Sequence, residues 1–290
     1  YILKYPLNEL CWGEKIEKMY TVSTSSGSTG TPSFWPRLPQ QDLFLPKYWE
    51  YFFIQPNWEI NKKSTLFVIT MALGNWIAGE LVSSITKRLA IEGKYHFTVA
   101  TPGSDVEQVL TIIKGIGEYY DQIIIVAYPS LVKRILEKGK DTGINWKKLN
   151  IKFWLGGEGF TQNWYKFIIR EITKDGKPTL DMFVNVYGTA DVGGIAFGSP
   201  LTNIITKIAA EDKKLFKALF GETLRFPSFA QVNPLAYFVE EIGNEIVVTY
   251  KGGVPLIRYN LHDYGKVWSY HEIIEIMKRY GYDVIGLLLQ

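Results

Sequence analysis

Short apolar segments alternate with amphipathic segments along most of this chain, and the alternation limits the folds open to it. The apolar segments are rich in β-branched or aromatic residues and end at Gly, Pro, Asn or Asp, which is typical of buried strands; they are residues 64–71, 95–100, 122–127, 151–155 and 182–187. Residues 77–92, 105–120, 129–138 and 161–173 instead carry apolar residues at helical spacing. Strands joined by crossover helices form parallel sheets. The chain is therefore predicted to be an α/β protein, a layered sandwich of mixed, largely parallel sheets.

The pattern changes from residue 237 onward. Residues 237–264 predict antiparallel strands joined by tight turns, and residues 270–280 predict a helix with one apolar face. We therefore predict a main α/β domain over residues 1–232, followed by a small antiparallel β subdomain and terminal helix over residues 233–290. The proline-rich residues 32–46 predict an extended surface connection.

Composition excludes several classes of protein. The 290 residues are 47% hydrophobic, enough for a large core, and the 32 basic and 29 acidic residues are interspersed. A net charge of +3 without a basic face does not indicate a nucleic-acid partner. The single cysteine excludes an internal disulfide or a cysteine-based zinc cluster, and His96, His262 and His271 lack the spacing of metal ligands. No segment predicts a membrane span or signal peptide, so we expect a cytoplasmic protein.

A segment rich in serine, threonine and glycine follows the apolar-flanked residues 20–23. Its glycines permit positive φ and close approach of the backbone, while its hydroxyl and N–H groups can surround an anion. A flexible, solvated loop is the alternative. The candidate phosphate-binding residues are Ser25, Ser26, Gly27, Ser28, Thr29, Gly30 and Thr31.

Three further motifs follow predicted strands. The first, after residues 151–155, is Gly156-Gly157-Glu158. The second begins at the last residue of 182–187 and is Tyr187-Gly188-Thr189-Ala190-Asp191. The third lies near the end of the small β region and is Arg258-Tyr259-Asn260-Leu261-His262-Asp263. In α/β sheets, ligands bind at the carboxyl ends of the strands. The motifs are therefore candidates for one site.

The four segments, in this order, resemble the adenylate-forming (acyl-CoA synthetase-like) superfamily, in its phenylacetate-CoA ligase-like branch, over residues 20–265. The resemblance implies ATP-dependent activation of an aryl or acyl carboxylic acid as an acyl-adenylate, most commonly for transfer to CoA. It implies ATP, Mg²⁺ and CoA as cofactors and a small-molecule carboxylic acid as the partner. The 290 residues correspond to the large N-terminal part only, and leave no room for the family's C-terminal lid domain.

The same resemblance implies roles for individual residues. Tyr187 would stack on adenine, with Gly188 and Thr189 beside the nucleotide, and Asp263 would accept hydrogen bonds from the ribose hydroxyls. Asp191 would help bind Mg²⁺. Asp191 and Arg258, the first residue of the last motif, would act in catalysis. The phosphate loop would hold the β- and γ-phosphates.

The acid site follows from the same resemblance. Glu158 would line the junction of the acyl and adenine pockets. The acid would occupy an apolar pocket between Trp76–Gly79 and the Gly156-Gly157-Glu158 turn.

Departures from the family pattern keep alternatives open. Ser33 replaces a lysine, Ala190 replaces a hydroxyl residue, and Asp191 is one methylene shorter than the usual glutamate. A nucleotide-binding protein without ligase activity, or one that transfers the acyl group to a protein or an amine, therefore remains possible. A carbohydrate- or peptide-binding module would explain the aromatic content but not the ordered motifs. Arg258 could also form a surface ion pair, and Glu158 could belong to an ordinary loop.

Overall fold

A computed structural model describes residues 2, 4–25, 32–54, 58–177, 179–223 and 227–288. The helices are α1 (Leu7–Leu10), α2 (Pro39–Ile54), α3 (Ile77–Ile91), α4 (Val106–Ile116), α5 (Pro129–Asp141), α6 (Gln162–Ile172), α7 (Pro200–Glu211), α8 (Lys213–Phe220), α9 (Tyr270–Arg279) and α10 (Val284–Leu288). The strands are β1 (Thr21–Thr24), β2 (Phe34–Arg37), β3 (Thr65–Ile69), β4 (Phe97–Ala100), β5 (Gln122–Ala127), β6 (Ile151–Gly156), β7 (Phe183–Thr189), β8 (Gly193–Phe197), β9 (Gln231–Val232), β10 (Tyr237–Ile242), β11 (Glu245–Tyr250) and β12 (Leu256–Tyr264).

The main sheet has seven strands in the order β4-β3-β5-β6-β7-β8-β9. The first five strands in this order pair in parallel, whereas β8 and β9 add antiparallel pairs at one edge. Each of the five strands predicted for this region overlaps an observed strand. The predicted fold class, α/β with a mixed, largely parallel sheet, is therefore confirmed.

Both faces of the main sheet are covered by helices. Along β5, Ile123 and Ile125 join the apolar cluster under α4, α5 and α6, whereas Ile124 and Val126 join the cluster under α2 and α3. All four side chains are at most 1% exposed. Burial of such a side chain stabilises the fold by about 1.5 to 3 kcal/mol. The continuous apolar runs in the sequence reflect this two-sided burial.

The prediction of an extended connection over residues 32–46 is wrong. Part of the segment forms β2, which pairs antiparallel with β1, and the rest enters α2. Pro39 is the first residue of the helix, where the backbone N–H would have no hydrogen-bond partner within the helix in any case. Pro46 lies inside the helix, but apolar side chains at helical spacing offset its cost by packing on the sheet. Trp49, for example, contacts Trp154 of β6 with ring centroids 5.1 Å apart.

The small sheet has the order β10-β11-β12 and is antiparallel, as predicted from the sequence. Its inner face shares an apolar cluster with Trp35 of β2 and with Val192, which precedes β8. The terminal helix α9 lies elsewhere, since Met277 joins a cluster with Ile205 of α7 and Leu215 of α8. The domain boundary after residue 232 remains a prediction. In the described residues, no helix is long and apolar enough to cross a membrane.

Two helical glycines provide a test of this packing. A Cβ on Gly79, in the first turn of α3, would lie 2.1 Å from the carbonyl oxygen of Ala72, whereas a Cβ on Gly115, in α4, would meet nothing within 4 Å. We expect Gly79→Ala to lower the free energy of unfolding by about 1 to 3 kcal/mol because the backbone must shift. Gly115→Ala should raise it by about 0.5 to 1 kcal/mol. Urea denaturation measures both, and equal effects would contradict the close approach of α3 to β3.

Candidate functional site

The ends of β7 and β12 meet at a tyrosine–aspartate pair. The Tyr187 hydroxyl donates a hydrogen bond of 2.7 Å to Oδ2 of Asp263, across 76 residues of sequence. Tyr187 is half-buried, and Asp263 is exposed. Burial raises the pKa of Tyr187, and the hydrogen bond to Asp263 and the charges of Asp263 and Asp191 raise it further. The phenol therefore stays protonated and remains a donor.

A second pair joins the same two parts of the chain. Tyr259 on β12 lies near the carboxylate of Asp191, in the turn between β7 and β8, and each side chain shifts the pKa of the other. Burial raises the pKa of Asp191, the Tyr259 hydroxyl opposes this rise, and the charge of Asp263 adds to it. Burial likewise raises the pKa of Tyr259, helped by Asp191. Two nearby carboxylates, each beside a tyrosine, make this a negatively charged, partly desolvated site.

Two irregularities in β12 aim these side chains. The backbone is left-handed at Arg258 (φ 48°) and at His262 (φ 60°). Arg258 directly precedes Tyr259, and His262 directly precedes Asp263. The register also shifts here: Tyr250 pairs with Leu256 and Val248 pairs with Tyr259, so β12 has one extra residue. Such a bulge redirects the following side chains. The left-handed conformation costs a non-glycine residue of order 1 kcal/mol, and is often found at functional sites.

The Arg258 side chain lies in a surface ion pair. Its Nε is 3.2 Å from Oε2 of Glu240 on β10, and its side chain is 61% exposed. Its backbone N–H donates to Oγ1 of Thr249 at 2.9 Å. The structure thus shows the surface ion pair that the sequence left open, and it does not bring the Arg258 side chain together with the two tyrosine–aspartate pairs. A catalytic role for this guanidinium remains a prediction.

The turn from β7 to β8 brings two backbones close together. A Cβ on Gly188 would lie 2.4 Å from the carbonyl oxygen of Gly193, so only glycine fits without a shift. The next residue, Thr189, has a buried hydroxyl with no hydrogen-bond partner among the described residues. Ala190 packs into the apolar cluster behind the turn. Because buried hydroxyls nearly always have partners, the Thr189 hydroxyl is a candidate ligand contact.

Glu158 follows β6 in sequence, and its side chain lies beside the N-terminus of α5. Its carboxylate accepts hydrogen bonds from the Ser130 backbone N–H at 3.2 Å and from the Ser130 hydroxyl at 3.0 Å. A negative charge is favourable at a helix N-terminus. The preceding Gly157 has φ 78°, and a Cβ there would lie 2.7 Å from the Tyr128 ring. Glu158 therefore has a structural partner, and its role at the acyl pocket remains a prediction.

Met71 lies between the segments that were predicted to enclose the acid. Its carbonyl oxygen would be 2.9 Å from a Cβ on Gly79, and its methyl group would be 3.5 Å from a Cβ on Gly156. Met71 is only 5% exposed. The buried Met71 side chain therefore lies beside Gly156, and the apolar acid pocket between Trp76–Gly79 and the Gly156-Gly157-Glu158 turn remains a prediction. Trp76, at the rim, is 44% exposed.

The stem of the serine- and glycine-rich loop is described, although residues 26–31 lie outside the described residues. The Ser25 N–H donates to the Ser33 carbonyl at 3.0 Å, and the Ser33 N–H donates to the Ser25 hydroxyl at 2.9 Å. The Thr24 N–H donates to the Asn75 carbonyl at 2.9 Å. The described stem therefore lies beside the connection from β3 to α3. Phosphate binding by Ser26, Gly27, Ser28, Thr29, Gly30 and Thr31 remains a prediction.

Trp35 links this stem to the tyrosine–aspartate pairs. Its ring, on β2, meets the Tyr259 ring edge-on, with centroids 6.3 Å apart and planes at 70°. Trp35 is 4% exposed. Sequence reasoning missed both Trp35 and the Tyr259 hydroxyl. Recognition of β2 would have placed Trp35 in an inward position of a short hairpin.

The three histidines are exposed, and no group of three or more His, Cys, Asp or Glu side chains in the described part of the chain forms a metal site. Asp191 belongs to no such group among the described residues.

No protein-family model matches this sequence, and no curated protein matches it. Solved structures of 2-hydroxyisobutyryl-CoA ligase resemble its fold. An open conformation with 2-HIB-AMP and CoA has a TM-score of 0.54 at 11% identity, covering 84% of this chain and 51% of that chain. The thioesterification state, with the same ligands, has a TM-score of 0.54 at 11% identity, covering 85% and 47%. The postadenylation state, with 2-HIB-AMP, has a TM-score of 0.52 at 10% identity, covering 85% and 47%.

The chain therefore spans about half the length of the ligase that it resembles. Membership of the phenylacetate-CoA ligase-like branch remains a prediction. Over most of its length, the chain has a fold similar to that of 2-hydroxyisobutyryl-CoA ligase.

Proposed function

We propose that this chain activates a small carboxylic acid with ATP, forming an acyl-adenylate for transfer to CoA. The observation that carries the proposal is the Tyr187–Asp263 hydrogen bond, because it joins two motifs 76 residues apart at one half-exposed site. The 2-hydroxyisobutyryl-CoA ligase structures contain an acyl-AMP and CoA, and thus support a nucleotide site on this fold.

The nucleoside would bind at Tyr187 and Asp263. The Tyr187 ring is held by its own hydroxyl at Asp263, so it offers a fixed flat surface on which adenine would stack. The exposed Asp263 carboxylate has further acceptor positions for the two ribose hydroxyls. Hydrogen bonds from hydroxyls to a carboxylate are stronger than those between neutral groups.

The phosphates would extend from this site toward the loop stem. The Thr189 hydroxyl, which has no described partner, would donate to a phosphate oxygen. The loop that begins at Ser25 would provide backbone N–H groups for the terminal phosphates. Its stem lies on the same side as Tyr259, because Trp35 contacts both.

Mg²⁺ fits this site only together with the nucleotide. Asp191 offers one hard carboxylate oxygen ligand, and Mg²⁺ commonly binds proteins through one or two carboxylates plus substrate phosphates. Mg²⁺ would neutralise phosphate charge that Asp191 and Asp263 otherwise repel. This donor set agrees with the absence of a metal cluster among the described side chains.

In the proposed reaction, a carboxylate oxygen of the acid attacks the α-phosphorus of ATP and the bond to pyrophosphate breaks. Tyr187 and Asp263 would fix the nucleoside, so that the α-phosphate is presented in one orientation. The acid would lie outside Met71, toward Trp76 and Glu158, where apolar contact contributes roughly 25 cal/mol per Å².

A nucleotide-binding protein without ligase activity is the second candidate. The Ala190 methyl packs into the apolar cluster, and the Ser33 N–H bonds to Ser25, so neither residue supplies the polar or cationic contact that the family has at these positions. Binding and catalysis must therefore be measured separately.

The first prediction concerns ATP binding. Tyr187→Ala and Asp263→Ala should each weaken binding of ATP with Mg²⁺ by about 1 to 3 kcal/mol, through loss of a stacking surface or of a charged acceptor. Tyr119→Ala is the matched control, because Tyr119 is 73% exposed and lies after α4. Isothermal titration calorimetry measures the affinities. Absence of ATP and AMP binding at millimolar concentration would reject the nucleotide site.

The second prediction concerns the reaction. A panel of aryl and acyl acids should include at least one that stimulates exchange of labelled pyrophosphate into ATP, because adenylate formation is reversible. Asp263→Ala should reduce this exchange about 10- to 100-fold if its contact orients the nucleotide. ATP binding without acid-dependent exchange would favour the second candidate.

A further inference from the structure

Asp263 lies on a bulge of β12 that is longer than an ordinary one. Val247 of β11 pairs with Asn260 of β12, and the pairing resumes with Glu245 and Tyr264. Residues 261–263 of β12 therefore lie opposite residue 246 of β11 alone. Because the extra residues of a bulge take no regular part in the ladder of strand hydrogen bonds, other contacts must fix their conformation.

Asn260 closes this bulge with both ends of its side-chain amide. Its Oδ1 accepts a hydrogen bond of 2.7 Å from the backbone N–H of His262, and its Nδ2 donates one of 2.6 Å to Oε2 of Glu245. The first bond is an Asx turn, in which an asparagine side chain binds the backbone two residues further on. It stabilises the backbone at His262, where φ is 60°. The second bond ties this turn to β11.

We propose that Asn260 is a positioning residue, which fixes the bulge so that the Asp263 carboxylate faces both the Tyr187 hydroxyl and the ribose. This inference rests on the proposed function, in which Asp263 binds the ribose. The residue that the Asn260 amide holds, His262, directly precedes Asp263. Oδ2 of Asp263 then accepts the 2.7 Å hydrogen bond from Tyr187.

The packing of the bulge agrees with this assignment. Leu261 belongs to the apolar cluster between the small sheet and the main sheet, whereas His262 and Asp263 are exposed. The apolar cluster therefore holds the start of the bulge, and the Asn260 amide holds its middle. Asp263, at its end, is left free to meet a ligand on one side and Tyr187 on the other.

The position requires a side chain that donates and accepts at once. An aspartate at 260 would still accept from the His262 N–H, but its second oxygen would face the Glu245 carboxylate without a proton to share. An alanine could form neither bond. Asn260→Asp combined with Glu245→Gln exchanges donor and acceptor and keeps the net charge, so this double variant can restore the bridge.

The test compares the binding of ATP and of 2′,3′-dideoxy-ATP, each with Mg²⁺, by calorimetry. The second nucleotide lacks both ribose hydroxyls, so the ratio of the two affinities reports the Asp263 contact, and a general loss of binding cancels. The wild-type protein should bind ATP about tenfold more tightly than 2′,3′-dideoxy-ATP. Asn260→Ala and Asn260→Asp should each reduce this ratio to less than about threefold.

Asn233→Ala is the matched control. Oδ1 of Asn233 accepts the Leu235 N–H at 3.0 Å, so this variant removes an Asx turn of the same kind from the loop before β10. It should leave the ratio of the two affinities within about twofold of the wild-type value, since Asn233 lies outside the bulge.

The double variant Asn260→Asp with Glu245→Gln gives the decisive result, because a merely structural loss would not be reversed by it. It should restore the ratio to within about twofold of the wild-type value. A wild-type ratio in Asn260→Ala, or no recovery in the double variant, would overturn the inference and leave the ATP site intact. Equal wild-type affinities for the two nucleotides would overturn the ribose contact and the inference with it. Absence of binding of both nucleotides to the wild-type protein would overturn the proposed function as well.

Discussion

Burial of the central strands on both faces is the constraint on which the rest of the structure depends. Alternate residues of β5 enter opposite apolar clusters, so apolar side chains fill both faces of the middle of the sheet and leave no space there for a ligand. Polar side chains are displaced to the strand ends, where the chain turns into the next helix or strand. Tyr187, Thr189 and Glu158 all lie at or just after the carboxyl ends of β6 and β7. The site is thus a consequence of the core.

The second determinant is the seam between the main and small sheets. Here the Tyr187 hydroxyl donates a hydrogen bond to Asp263, 76 residues away in sequence, and Tyr259 lies near Asp191. Each phenol shields a carboxylate from part of the surrounding water. The seam therefore concentrates negative charge and hydrogen-bonding capacity at a place where an apolar cluster supports it from behind.

The sequence predicted the main sheet well because two-sided burial requires long apolar runs, and those runs are visible without a structure. It failed for residues 32–46, where prolines suggested an extended segment, but where buried aromatic side chains such as Trp49 stabilise a helix. Of the predicted site residues, Tyr187 and Asp263 are joined by a hydrogen bond, whereas the Arg258 side chain lies in a surface ion pair. Arg258 does not belong to a type that favours the left-handed region, so the bulge before Tyr259 had no sequence signal, whereas His262 belongs to a type that is enriched there.

The placement of α9 determines how the small sheet is held. The chain leaves the main sheet after β9, builds β10, β11 and β12, and returns to the main body through α9, which packs on α7 and α8. The small sheet is therefore a loop-like insertion anchored at both ends. Its inner face also shares a buried apolar cluster with Ile195 of β8, so the small sheet is held by packing as well as by its two chain connections. The position of Asp263 relative to Tyr187 is therefore set by the core between the two sheets.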